Sequence, residues 1–306
     1  MIERIPLPRG GGFPLERATD ITASVIGALF DVHPYTTVFG LYAKHRGADL
    51  PDPEPSTVMR RGVALEPVVA SEVKKRHRKW KIIRNRCYYR DPEARIGATP
   101  DFFIDGDERG IGVLQTKTVA SSIFRRDWTE DNPPFWIALQ NQTELMLTGA
   151  RWGLIAPLVI GDFAFDVYEY EVPHHEPAQR RIRQAVADFW QAVAECREPR
   201  PAFDRDRGII DALYPHEAPG KVTDLRGDNR VLELLDTIER ERETMKLHAS
   251  LLDMAETEVK AKLGDSELAV VSGWRVAWKS RHRRGYEVLP ADYRQLMVKR
   301  EKRAAA

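Results

Sequence analysis

The stretch that decides the fold is Gly97–Val119, "GATPDFFIDGDERGIGVLQTKTV". Two runs rich in apolar and β-branched residues flank a turn that holds Gly106 and Gly110, which predicts two neighbouring strands of one sheet. Asp101 follows Pro100 at the start of the first strand. Gln115 and Lys117 lie two positions apart in the second, so both side chains leave the same face. The Thr116 carbonyl lies between them.

These residue types share a chemistry. A hard divalent cation prefers oxygen donors, and Asp101, the Gln115 amide oxygen and the Thr116 carbonyl offer them. A cation so held can lower the pKa of a water and clamp a phosphate. Lys117 could orient that water or neutralise charge in the transition state. The plainer alternative makes Asp101 a turn residue and Lys117 a solvated strand residue.

Around this stretch, "KIIRNRCYYRD" reads as a further strand, and Pro134 to Leu147 as a helix. "WGLIAPLVIG" and "FAFDVYEYEV" read as a hairpin turning at Gly161-Asp162. "HEPAQRRIRQAVADFWQAVAEC" is another helix. Upstream, "TDITASVIGALFDVHPY" predicts a helix capped by Asp20 or Thr22, and "TTVFGLYAKHRG" one stopped by Gly47. Residues 56–80 are mostly helical, with a kink or restart expected at Pro67. Four segments follow: a loose N-terminus over 1–16, a mixed α/β core over 17–200, a linker over 201–228 and an extension over 229–306.

In the extension, Val231, Ile238, Met245, Leu252 and Val259 recur every seven residues among charged neighbours. The pattern predicts a long helical arm with one apolar stripe. "GWRVAWKSRHRRGYEV" then reads as a hairpin, with Trp274 and Trp278 anchoring one face and Arg281, Arg283 and Arg284 at the turn. Those arginines are candidate DNA-backbone contacts, or simply a solvated turn.

The formal net charge of the 306 residues is +1, so any polyanion surface must be local. Two cysteines, Cys87 and Cys196, are too few for a disulfide framework or a thiolate zinc site. No apolar run approaches the ~20 residues that span a bilayer, and the N-terminal residues lack the apolar centre of a signal peptide. The expected location is the cytoplasm, that of the host cell if the chain is phage-encoded, with no membrane partner.

Four stretches in order resemble the YqaJ-like viral recombinases, the lambda-exonuclease-like branch of the PD-(D/E)xK nucleases: "RATDITASVIGALF", "RRGVALEPVV", "GATPDFFI…GVLQTKT" and "WIALQNQTELMLTGARWGLIA". The "GDSELAVVSGWRVAWKS" tail is similar to the C-terminal extension of phage members. The resemblance implies an α/β (α+β) fold with a restriction-endonuclease-like core: a small mixed sheet flanked by helices, plus a long helix and β-hairpin. It implies Mg2+ (or Mn2+) held by Glu66, Asp101, Gln115 and Thr116, with Lys117 the catalytic lysine. Asp91, ten positions before Asp101, matches an accessory acid or is a turn residue before Pro92. A 5′-phosphate pocket would draw on Arg17, Ser24, Thr99 and Gln140, with Gln142 the competing alignment. Ser24 and Thr22 are equally suited to helix capping.

Gln115 departs from the family pattern, where a carboxylate stands. It can ligate magnesium but offers no charge. Glu144, four residues after Gln140 on the same helix face, could lend a carboxylate or sit at the surface. The implied function is a metal-dependent 5′-to-3′ exonuclease that processes duplex DNA ends for recombination. The alternative is a weakened or inactive DNA-end-binding protein. Either would work with a single-strand annealing partner, and the family includes ring-forming homo-oligomers.

Overall fold

The computed structural model describes residues 1–8, 12–50, 56–161, 165–283, 285, 290 and 294–298. It divides into two compact units, Met1–Leu213 and Tyr214–Ala306.

The first unit is built around β8 (Trp152–Ile160), which is buried along all but its last residue. Its sequence, WGLIAPLVI, is continuously apolar because both faces of the strand are covered. β7 (Gly112–Ala120) runs parallel to β8 over its full length, with Gln115 opposite Ile155 and Lys117 opposite Pro157. A parallel pair needs a crossover. Here it is α3 (Ser121–Asp127) and α4 (Phe135–Thr148). On the far side of β7 lie β6 (Phe102–Asp105) and then β3 (Lys81–Arg84), both antiparallel. β9 (Phe165–Val167) and β10 (Tyr170–Pro173) return along the other edge of β8 in one register. This is the hairpin expected after β8; its predicted turn residue Asp162 lies outside the described residues.

Two helices cover the sheet. α2 (Thr57–Arg76) lays Val69, Ala70 and Val73 on Leu114, Leu154 and Phe102. α4 covers the opposite face, with Leu145 on Val113 and Ile137 on Ile155. α2 is one continuous helix through Pro67, so the restart expected there does not occur. Burial of Val69, Ala70 and Val73, just beyond Pro67, holds the helix in one piece.

A second sheet, ordered β1-β4-β5-β2, fastens the N-terminal region. It contains β1 (Glu3–Pro6), β2 (Ile21–Thr22), β4 (Cys87–Asp91) and β5 (Ile96–Ala98). β1 lies inside the segment expected to be loose, and its pairing with β4 is what orders it. The stretch read as one strand, Lys81–Asp91, is two strands in different sheets. They part at Asn85, whose amide bonds the Cys87 backbone and the Pro100 carbonyl. The expected strand Ile96–Asp105, "IGATPDFFID", divides in the same way around Thr99–Asp101.

The first predicted helix is instead two 3-10 segments, Leu15–Thr19 and Ala23–Phe30, on either side of β2. Thr22 stands at the N-cap of Ala23–Phe30, but its side chain makes no capping bond. Asp20 is drawn inward to a bidentate pair with Arg90 at 2.9 Å and to the Tyr88 hydroxyl at 2.9 Å. α1 (Val38–His45) and α5 (Glu176–Ala194) form where the sequence places them. Residues 201–213, expected as linker, carry α6 (Arg207–Leu213) and the fully buried Asp206. Asp206 accepts from Thr37 Oγ1 at 2.5 Å and Ala202 N at 2.7 Å.

The second unit holds α7 (Asn229–Leu263) and a hairpin of β11 (Leu268–Val271) with β12 (Trp274–Ala277). The predicted hairpin is shifted. It turns at Ser272-Gly273, where Gly273 takes φ +77°, and Trp274–Ala277 is its second strand. Arg281 and Arg283 therefore follow the hairpin instead of capping its turn, and Arg284 lies outside the described residues. Trp274 and Trp278 do not anchor a packed face; they are 74% and 50% exposed.

Candidate active site

Asp101 sits where β6 stops short of its neighbour. β6 ends its pairing at Phe102 opposite Leu114, which leaves the next β7 amide on that edge without a backbone acceptor. The Asp101 carboxylate takes its place: Oδ2 accepts from Thr116 N at 2.8 Å and from Thr116 Oγ1 at 2.9 Å. The strand register thus fixes an acid against the edge of β7. Burial pushes the Asp101 carboxyl pKa up, while Lys117 and the Thr116 donors pull it back.

β7 alternates its side chains between the two helices. Leu114 faces α2, whereas Val113 packs on Leu145 of α4. Gln115 and Lys117 share the α4 face. Lys117 Nζ donates to Gln140 Oε1 at 3.0 Å, and Gln140 Nε2 donates to Glu144 Oε1 at 3.0 Å. Burial lowers the Lys117 pKa, and the charges of Asp101, Glu144 and Glu66 act against that. Gln115 is 1% exposed, and neither its oxygen nor its nitrogen has a hydrogen-bond partner.

Glu66 approaches from α2. Arg84 Nη2 donates to its Oε2 at 3.0 Å. Burial, then the charge of Asp101, raises its pKa to about 7, against the pull of Arg84 and Lys117. Glu144 is not the surface residue of the plainer reading: it is 1% exposed and its Oε2 is unpartnered. Burial and then Asp101 raise its pKa to about 8. Glu66, Asp101, Gln115, Lys117 and Glu144 therefore gather from α2, the β6 end, β7 and α4.

The remaining sequence candidates separate into groups. Arg17, Thr22 and Ser24 line one cleft of about 420 Å³, together with Lys44 and His45. Arg17 Nη1 is buried without a partner, and its guanidinium lies 3.4 Å over the Phe13 ring. Thr22 Oγ1 and Ser24 Oγ are 3.0 Å apart. Gln140 bonds Lys117 and is not among the residues that line that cleft. Gln142 is used elsewhere: its amide bonds the Pro173 carbonyl, His175 N and Gln179, tying β10 to α5. Thr99 Oγ1 is buried and unpartnered, two residues before Asp101. Asp91 is paired with Arg183 of α5 at 2.7 Å, apart from this cluster.

Sequence reasoning missed Trp136 and His33. The Trp136 ring centroid is 5.5 Å from Lys117 Nζ and 5.1 Å from the His33 ring. His33 is buried and pins its own turn through Nδ1, which accepts from Thr36 N at 2.9 Å. The signal for Trp136 was present, since Trp136, Gln140 and Glu144 recur at four-residue spacing on one helix face.

Among the described residues, no three His, Cys, Asp or Glu side chains converge as a ready-made metal cage. Magnesium does not need one. It is usually held by one or two carboxylates and completes its shell with water and substrate phosphate. The unpartnered buried oxygens of Gln115 and Glu144, beside Asp101, have the hard-donor character such an ion takes. The residues present fit the group.

Residues 13–151 match the model of the YqaJ-like viral recombinase domain. The chain is also similar to an alkaline exonuclease from Laribacter hongkongensis, with 16% identity and TM-score 0.47 over 58% of this chain and 90% of that one. The structure of that exonuclease in complex with dAMP matches at 17% identity and TM-score 0.45, with the same coverage. A phage-related exonuclease from Haemophilus somnus 129PT matches at 9% identity and TM-score 0.42, over 58% of this chain and 94% of that one. No curated protein matches the chain.

Proposed function

We propose that the protein is a divalent-metal-dependent deoxyribonuclease that digests duplex DNA from its ends, 5′ to 3′, and so prepares DNA for phage-type recombination. The observation that carries this reading is the gathering of Lys117, Asp101, Glu66 and the unpartnered Gln115 at one place in a YqaJ-like domain. A bound Mg2+ or Mn2+ would supply a Lewis acid for the scissile phosphate and the attacking water. Asp101, Gln115 and Glu66, with the Thr116 carbonyl, are the residues that would hold it.

The chain's own groups do the rest. The Gln140 carbonyl fixes the Lys117 ammonium at 3.0 Å, which preorganises a positive donor where phosphate charge grows. Thr116 fixes one Asp101 oxygen and leaves the other for ligation. Arg17 and Ser24, in one cleft, form a pocket for a terminal 5′-phosphate: one buried cation with an unpartnered donor and one hydroxyl. The proposed partners are DNA duplex ends and a single-strand annealing protein.

Incubation with linear 5′-phosphorylated, linear 5′-hydroxyl and covalently closed duplexes, with and without chelator, tests the reading. Metal-dependent loss of the linear duplexes, fastest for the 5′-phosphorylated one, is expected. Binding of ends without any hydrolysis would instead make this an end-binding protein.

A further inference from the structure

The neutral residue at position 115 leaves the site one negative oxygen short on β7, and α4 brings one in. Gln115 lies between Val113 and Lys117 on the strand face turned to α4. Val113 packs on Leu145, and Lys117 bonds Gln140. Gln115 therefore faces the helix segment that carries Glu144. Both side chains are 1% exposed. Both atoms of the Gln115 amide, and Oε2 of Glu144, lack any hydrogen-bond partner.

Buried polar atoms are rarely left unmade, because each one loses its water without replacement. Here the unmade atoms come from two elements and meet at one face. Gln140 holds Glu144 Oε1, which sets the carboxylate plane and leaves Oε2 for another occupant. Asp101 and Lys117 are the charges that act on Glu144, so it lies within electrostatic reach of both.

Resting on the reading of this site as a metal-dependent nuclease, we propose that Glu144 supplies the carboxylate that Gln115 does not. It is delivered by α4 instead of β7, so that Glu144 Oε2 joins Asp101, the Gln115 oxygen and Glu66 in the donor set for a divalent cation. The strand then offers the neutral amide and the helix the charged oxygen. Gln140 is then a positioning residue for both Lys117 and Glu144.

Manganese binding by the full-length protein, read from the loss of free Mn2+ signal in electron paramagnetic resonance, tests this without any catalysis. Glu144→Gln should weaken Mn2+ binding about tenfold or more, with circular dichroism unchanged. Gln115→Glu alone should not tighten binding, because it adds a carboxylate beside one already present. The double variant Gln115→Glu/Glu144→Gln should recover most of the lost affinity. Unchanged Mn2+ binding in Glu144→Gln, with Asp101→Asn abolishing it, would overturn the inference and spare the metal site. Unchanged binding in both would overturn both.

Discussion

Burial shifts the ionisation of Lys117, Glu66 and Glu144, and the two acids make a testable statement about pH. Their carboxyls keep the proton to about pH 7 and about pH 8 in the folded chain, against 4.5 in the reference state. The folded chain thus binds more protons than the unfolded one across that window. Stability is full below the unfolded pKa and falls as pH rises through the folded values. The melting temperature of the metal-free protein should therefore drop between about pH 5 and pH 8. Glu144→Gln should flatten the upper part of the drop. Glu66 contributes less, since solvent reaches it. Melts followed by circular dichroism in chelator check this, and a melting temperature that rose over the window would contradict it. At the other cleft, Arg17→Ala should slow digestion of 5′-phosphorylated ends while sparing 5′-hydroxyl ends. Equal slowing of both in a rate assay would assign Arg17 to the packing against Phe13 alone.

Among the elements, the Ala23–Phe30 segment packs closely on α4. A Cβ added at Gly27 would stand 2.8 Å from the Trp136 Cβ, a helix-bound atom that cannot swing aside. Gly27→Ala should destabilise the protein by about 1–3 kcal/mol, read from urea unfolding. Since Trp136 neighbours Lys117, activity should fall with it; unchanged stability would mean the two elements do not meet as described. The strand pair around Asp101 and Lys117 was legible because alternation and glycine turns are local signals. So was α4, through its repeated apolar spacing. The 3-10 form of residues 15–30 was not legible. It depends on Asp20 finding Arg90 and Tyr88, some 70 residues away. The division of Lys81–Asp91 between two sheets rests likewise on the reach of Asn85 to Pro100. The burial of Glu144 was hidden because the charges it faces, Asp101 and Lys117, lie far from it in sequence.

For the whole molecule, the first unit carries the whole proposed chemistry, and the second carries α7, the hairpin and the exposed arginines after it. Replacing Arg281 and Arg283 with Gln should weaken DNA binding most at low salt. If each arginine contacts a phosphate, each should reduce the slope of log affinity against log salt by about 0.9. Filter binding at several salt concentrations reads that slope, and an unchanged slope would assign this segment to protein contacts. The central claim concerns the first unit: one cluster performs metal-dependent hydrolysis of DNA ends with Lys117 at its centre. The most direct measurement is the rate of nucleotide release from a linear 5′-phosphorylated duplex across a Mn2+ titration, for the unaltered protein and Lys117→Ala side by side. The unaltered protein should show saturable, metal-dependent release. Lys117→Ala should reach a plateau lower by about 100- to 1,000-fold, at a similar half-saturating metal concentration. Release that ignores metal, or a full plateau in Lys117→Ala, would contradict the account.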